Sequence, residues 1–313
     1  MTALSAGGDS IVYRANTAAS SALVWYNRAG DEIGRLPGEG STPSISGDGR
    51  VVVMRSSSGM NPGRPELWMW SGSNGFHKFG VANQAYNTAI WSHDDAMIYF
   101  SSPRGGGPFG LYEKASDGSG DERLVLQTQQ FIFANDRSRD GRVLIYRSSD
   151  PKSAFDLWTF SLADKRSEPL VKTQYNEREA QFSPDNRWFA YQSDETGHDE
   201  IYIQPFPAAD GKRIGPVSEN GGTQVRWNPA GGELFYLGSD GRLMSVAITT
   251  SSDGRKIEAD KPSPLFQTNI RPAGALGQQY AVDRDAKGLR FLINTAPEAV
   301  APITILLNWK PGS

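Results

Sequence analysis

Ser183-Pro184-Asp185-Asn186-Arg187-Trp188-Phe189-Ala190-Tyr191 is the stretch that decides the fold. It opens with a Ser-x-Asp turn and continues as an apolar run ending on a large residue. The same phrase recurs at residues 5–13, 46–54, 92–100, 138–146, 183–191, 228–236 and 284–292. Most copies start 45 or 46 residues apart. A fixed period of that length with strand-type content signals a ring or stack of repeated sheets.

The fourth copy shows how one unit is built. Phe131-Ile132-Phe133-Ala134 reads as a short first strand, and Ser138-Arg139-Asp140-Gly141 as a tight turn. The Asp accepts local backbone N–H bonds there, and Gly tolerates positive φ. Val143-Leu144-Ile145-Tyr146 is a β-branched and aromatic run suited to a strand buried on both faces. Asp156-Leu157-Trp158-Thr159-Phe160 and Glu168-Pro169-Leu170-Val171 supply a third and a fourth strand. Four antiparallel strands in one period make a propeller blade.

The second apolar strand recurs as Leu23-Val24-Trp25-Tyr26, Leu67-Trp68-Met69-Trp70, Leu111-Tyr112, Leu157-Trp158, Ile201-Tyr202-Ile203, Leu243-Met244 and Ile305-Leu306-Leu307. Six of the eight Trp fall in repeated slots, which reads as packing between blades. No amphipathic helical stripe interrupts the pattern. Residues 249–264 and 296–302 break the period and read as surface excursions.

The expectation is therefore all-β: a single β-propeller over residues 1–313, with units starting near 5, 46, 92, 138, 183, 228 and 284. Seven blades are preferred over six, the last blade being incomplete or closed by the N-terminal segment.

Bulk properties narrow the function. Thirty-two Lys and Arg against 35 Asp and Glu leave no basic stripe for nucleic acid. Cysteine is absent, so disulfides and thiolate metal sites are excluded. Apolar runs fall far short of the roughly 20 residues that span a bilayer. No signal peptide is read at the start, where the first repeat follows directly on Met1.

Ser183-Pro184-Asp185-Asn186 and its sister turns resemble the WD40-like repeats of TolB-type β-propellers. Residues 23–30, 201–207 and 233–236, with Pro264-Leu265-Phe266 and Leu306-Leu307-Asn308-Trp309, resemble the propeller region of bacterial membrane-anchored serine/threonine kinases. The resemblance spans the chain. It implies an extracytoplasmic, periplasmic sensor or scaffold that binds a partner. TolB itself carries an N-terminal α/β domain and six blades, and this chain departs on both counts. Kinase motifs are missing from it.

Catalytic constellations are not found. His77, His93 and His198 read as loop or surface residues, with no Gly-x-Ser-x-Gly elbow to pair with. Asp48, Asp94, Asp140 and Asp185 recur at blade period, so they belong to turns too far apart to share an ion. Gly105-Gly106-Gly107-Pro108-Phe109-Gly110 fits a dinucleotide fingerprint only as text, because a strand follows it rather than a helix. The acidic tip 194–200 reads as solvated rather than as a Ca²⁺ loop. No cofactor and no metal site are expected.

Loops entering each blade, and those joining second to third strands, share one face of a propeller. That face gathers Asn87, Arg104, Tyr175, Asn176, Arg178, Asp194 and Asn220. Tyr and Arg beside amides suit a protein or peptide contact. The expectation is a non-catalytic, monomeric interaction or sensing module gripping its partner there. A propeller hydrolase or lyase, or a small-ligand (glycan) site in the axial channel, is the alternative.

Overall fold

The computed structural model describes residues 2–7, 10–14, 22–56, 65–104, 109–207, 212–270, 277–296 and 303–306. Six antiparallel sheets follow one another around a ring. Blade 1 holds Ser41–Ile45, Val51–Ser56, Pro65–Trp70 and Phe76–Lys78. Blade 2 holds Ala89–Trp91, Met97–Ser102, Gly110–Ala115 and Arg123–Gln127. Blade 3 holds Ile132–Arg137, Val143–Asp150, Ala154–Ser161 and Arg166–Val171.

Blade 4 has three strands, Glu177–Phe182, Trp188–Ser193 and Glu200–Pro205, with an Ile203–Ile214 bridge in the fourth place. Blade 5 holds Gly222–Trp227, Glu233–Gly238, Arg242–Thr250 and Ser263–Gln267. Its third strand overruns to pair with Ile257–Ala259, which accounts for the long sixth unit in the sequence. Blade 6 joins the two ends of the ring. Tyr280–Asp285 and Gly288–Thr295 pair onward to Ala22–Asn27 and Glu32–Arg35, with Leu292 opposite Trp25.

The preference for seven blades is thereby corrected to six. The first turn-and-strand phrase builds no blade. Thr2–Gly7 and Ser10–Arg14 pair with Ile303–Leu306 in a separate three-stranded sheet. The strand that follows it in sequence, Ala22–Asn27, serves the last blade instead. Seven phrases thus yield six blades because the first phrase and the strand after it lie in different sheets.

Packing confirms the count. Second strands alternate their side chains between two neighbours, as a pleat of period two requires. Val52 and Met54 pack toward blade 2, whereas Val51 and Val53 pack toward blade 6. Tyr146 faces blade 2 and Ile145 faces blade 4. Six apolar clusters result, one at each seam of the ring.

The turns close as their chemistry predicts. Ser138 Oγ donates to Asp140 Oδ1 at 2.7 Å, and Ser183 Oγ donates to Asp185 Oδ1 at 2.6 Å. Trp91 Nε1 donates to the Ser44 carbonyl and Trp227 Nε1 to the Gln181 carbonyl, each reaching back one blade.

Leu292 is fully buried where Gly288–Thr295 pairs with Ala22–Asn27 to close the ring. Leu292→Ala is expected to lower unfolding free energy by about 2–5 kcal/mol in urea titrations. Leu124→Ala, at a half-exposed outer strand, should stay within about 0.5 kcal/mol.

Candidate functional site

Inner strands line the axis, and their geometry departs from plain alternation. Thr42, Glu179 and Gln224 each stand four residues before their turn and adopt φ of 50°, 55° and 57°. At each, the pairing register shifts as in a β-bulge. A bulge re-aims the side chains around it. Here all three residues line the axial channel.

On the face of the entering loops, the channel opens into a cavity of about 350 Å³ lined by Arg147, Arg178, Glu179, Gln192, Asp199 and Gln224, among others. Arg147 is 1% exposed and pairs with Glu179 at 2.5 Å. Its guanidinium lies over the rings of Phe133 and Phe155 at 4.6 and 5.1 Å. Burial works against its charge, and the Glu179 carboxylate works for it. Arg178 donates one Nη to both oxygens of Asp199, at 2.9 and 2.8 Å. Gln192 accepts the Gln224 N–H, and Gln224 in turn accepts the Gln279 N–H, so adjacent blades are tied side by side.

Glu177 sits at the start of the same inner strand, 1% exposed, and accepts a hydrogen bond from the Thr173 hydroxyl. Burial raises its carboxyl from the ordinary 4.5 to about 7, helped by the nearby charges of Asp156 and Asp194. The opposite, turn-side half of the channel forms a funnel of about 390 Å³. There Asp136 accepts the Phe182 N–H at 2.7 Å, and burial pushes its carboxyl up to about 6.

The residues singled out in the sequence fall into two groups. Tyr175, Asn176, Arg178 and Asp194 come together on blade 4: Asp194 accepts the Asn176 N–H at 2.9 Å, and Tyr175 stands half-buried beside them. Arg178 reaches the cavity itself. Asn220 is exposed on the blade 4–5 crossover, its carbonyl held by the Ser239 hydroxyl. Asn87 and Arg104 lie away from this cavity. Asn87 N–H is bonded to the Ser101 carbonyl, and Arg104 pairs with buried Glu122 over the Tyr112 ring.

Sequence reasoning missed Arg147, Gln224, Asp136 and Arg226, which line the channel from within strands. Asp136 and Arg226 stand two residues before their turns and Gln224 four, an offset that marks them, whereas Arg147 lies past its turn in a middle strand. His77, His93 and His198 are all exposed, as expected, with His198 bonded to Glu200. Residues 105–108 of the Gly-rich stretch lie outside the described residues, and the strands flanking it pair as a hairpin. Among the described residues, no group of three or more His, Asp and Glu side chains is placed to hold a metal ion.

No protein-family model matches the sequence, and no curated protein matches it either. Solved structures do. A protein provisionally identified as TolB from Agrobacterium tumefaciens aligns at 20% identity and a TM-score of 0.59, over 77% of this chain and 88% of that one. TolB from Acinetobacter baumannii aligns at 14% identity and 0.55, over 81% and 66%. An oligogalacturonate lyase in complex with manganese aligns at 13% and 0.56, over 93% and 87%. Likeness at these identities establishes a TolB-like β-propeller fold and stops there.

Glu177 gives a pH signature. The native state holds its proton more tightly than the unfolded chain does. The stabilisation is complete below about pH 4.5 and is lost as pH rises through about 7. Relative to the parent, Glu177→Gln should gain on the order of 1–3 kcal/mol between pH 5 and pH 8 in urea unfolding. Asp136 titrates in both proteins and cancels from that difference.

Proposed function

We infer that the chain is a non-catalytic interaction or sensing propeller, which binds a protein or peptide partner at the loop-side mouth of its channel. The observation that carries this reading is the blade 4 rim. Tyr175 stands there half-buried, beside an Arg178 guanidinium already fixed on Asp199 and an Asn176–Asp194 contact that holds the loop. An aromatic anchor and an oriented Arg over a formed cavity are the elements that dominate protein recognition. Because Asp199 already holds the Arg178 guanidinium and Asp194 the Asn176 backbone N–H, little ordering is left to be done on binding.

The sequence resemblance to TolB-type and kinase-linked propellers supports an extracytoplasmic setting in a bacterial envelope or receptor-kinase system, with the chain acting as a monomer. Asn87, Arg104 and Asn220 remain part of the proposed contact face as outlying members. No cofactor enters this reading.

A second reading draws on one observation. Glu177 is buried with its carboxyl near 7, and one of its oxygens has no partner. A carboxyl so poised suits general acid–base chemistry, as in a channel-based lyase or hydrolase.

Affinity capture from an envelope extract tests the first reading. A partner enriched by the parent should fall at least tenfold with a Tyr175→Ala/Arg178→Ala chain. A partner retained in full by that variant would move the site elsewhere on the ring.

A further inference from the structure

The turn-side half of the channel carries a charge arrangement that the mouth reading leaves unused. Two residues before each turn, the six inner strands place Ser44, Ile90, Asp136, Gln181, Arg226 and Val282, and all six line the same funnel. Three consecutive blades therefore supply a polar arc of Asp136, Gln181 and Arg226. The other three supply one small and two aliphatic side chains.

The first two members of the arc also serve the scaffold. Asp136 accepts the Phe182 N–H and Gln181 accepts the Trp227 N–H, each from the following blade at 2.7 Å. Arg226 cannot continue that series, because a guanidinium has donors and no acceptor. It makes no hydrogen bond or ion pair among the described residues, and its surroundings act on it only through burial and the more distant carboxylates of Glu179 and Asp136. Glu179 is already committed to Arg147. Asp136 and Arg226 are thus close enough to feel each other, yet farther apart than a direct ion pair.

Further unsatisfied groups line the same funnel. Gln278 is 6% exposed, and neither its amide oxygen nor its nitrogen has a partner. Asn135 Oδ1 is likewise buried and unpaired. Buried polar groups are ordinarily satisfied, so orphans sharing one funnel with an unpaired cation point to something that completes them.

We propose that this half of the channel binds a free α-amino acid as its zwitterion, with the carboxylate on Arg226, the ammonium toward Asp136 and an aliphatic side chain against Ile90 and Val282. A simple anion would meet Arg226 but confront Asp136 and Glu179. A neutral amide would leave Asp136 and Arg226 without a direct ion-pair partner, a costly arrangement in a low-dielectric space. A zwitterion neutralises both ends at once. The volume of about 390 Å³ suits a small-molecule site, typically about 300–1,000 Å³.

The site is independent of the partner contact proposed for the other face. Its test is calorimetric titration of the whole chain with L-leucine and L-valine, and with N-acetyl-leucine and leucinamide, which each lack one charge. Saturable binding of the free amino acids is expected, at least tenfold weaker for both single-charge analogues. Asp136→Asn keeps an acceptor for the Phe182 N–H, and Arg226→Gln removes the cation; each should cost at least tenfold in affinity. Tyr175→Ala should leave binding intact while impairing partner capture. If Arg226→Gln fails to fold, Asp136→Asn with the two analogues carries the test. Absence of saturable binding, analogues within threefold of the free amino acids, or an Asp136→Asn chain that binds as the parent does would each overturn the proposal.

Discussion

Burial of every middle strand on both faces is the constraint on which the structure depends. A blade such as Val143–Asp150 with its partners has an apolar side facing each neighbour, so no blade can bury its surface alone. Only a closed ring leaves no seam exposed. Closure falls on Ala22–Asn27, which pairs with Gly288–Thr295 and completes the cluster of Leu23, Trp25, Val51, Val53 and Leu292. The channel and its two mouths are consequences of that closure, because the innermost strands converge on the axis only when six seams are filled.

The inner strands then face a conflict between scaffold and site. Their backbone N–H groups need acceptors, and several are supplied by side chains from the preceding blade, as with Gln181 to Trp227 and Gln224 to Gln279. The bulges at Glu179 and Gln224 accompany this: the pairing register shifts there, and the residue takes a left-handed backbone. A channel built this way carries polar groups in both halves, beside the aliphatic Ile90 and Val282 on its turn side. Its polar residues divide into those already matched, Arg147 with Glu179 and Arg178 with Asp199, and those left unmatched, Arg226 and Gln278. Matched groups make a rigid mouth, and unmatched ones mark where a ligand would add most.

Much of this was legible in the sequence, and the remainder was hidden for physical reasons. Strands, turns and the 45-residue period follow from local chemistry, since Ser138 and Asp140 close their turn without help from distant residues. Blade number was not local. Whether Leu23-Val24-Trp25 belongs with the phrase before it or with residues nearly the full chain length away depends on a pairing that no period records. Arg178 could be found because it stands at the start of its strand, next to the entering loop. Asp136 and Arg226 were missed, because strand alternation assigns each side chain a direction that the bulged inner strands do not follow.

Ring closure is therefore the claim to test first, and the absence of native cysteine makes the test clean. Ala22 and Thr295 are direct cross-strand partners in the closing blade. An Ala22→Cys/Thr295→Cys chain, oxidised in its folded state, is expected to form one intramolecular disulfide in nearly every molecule, because paired antiparallel residues lie about 4.5–5.5 Å apart. Both thiols remaining free in the folded chain, or reacting only between molecules, would contradict a six-bladed ring closed by Ala22–Asn27.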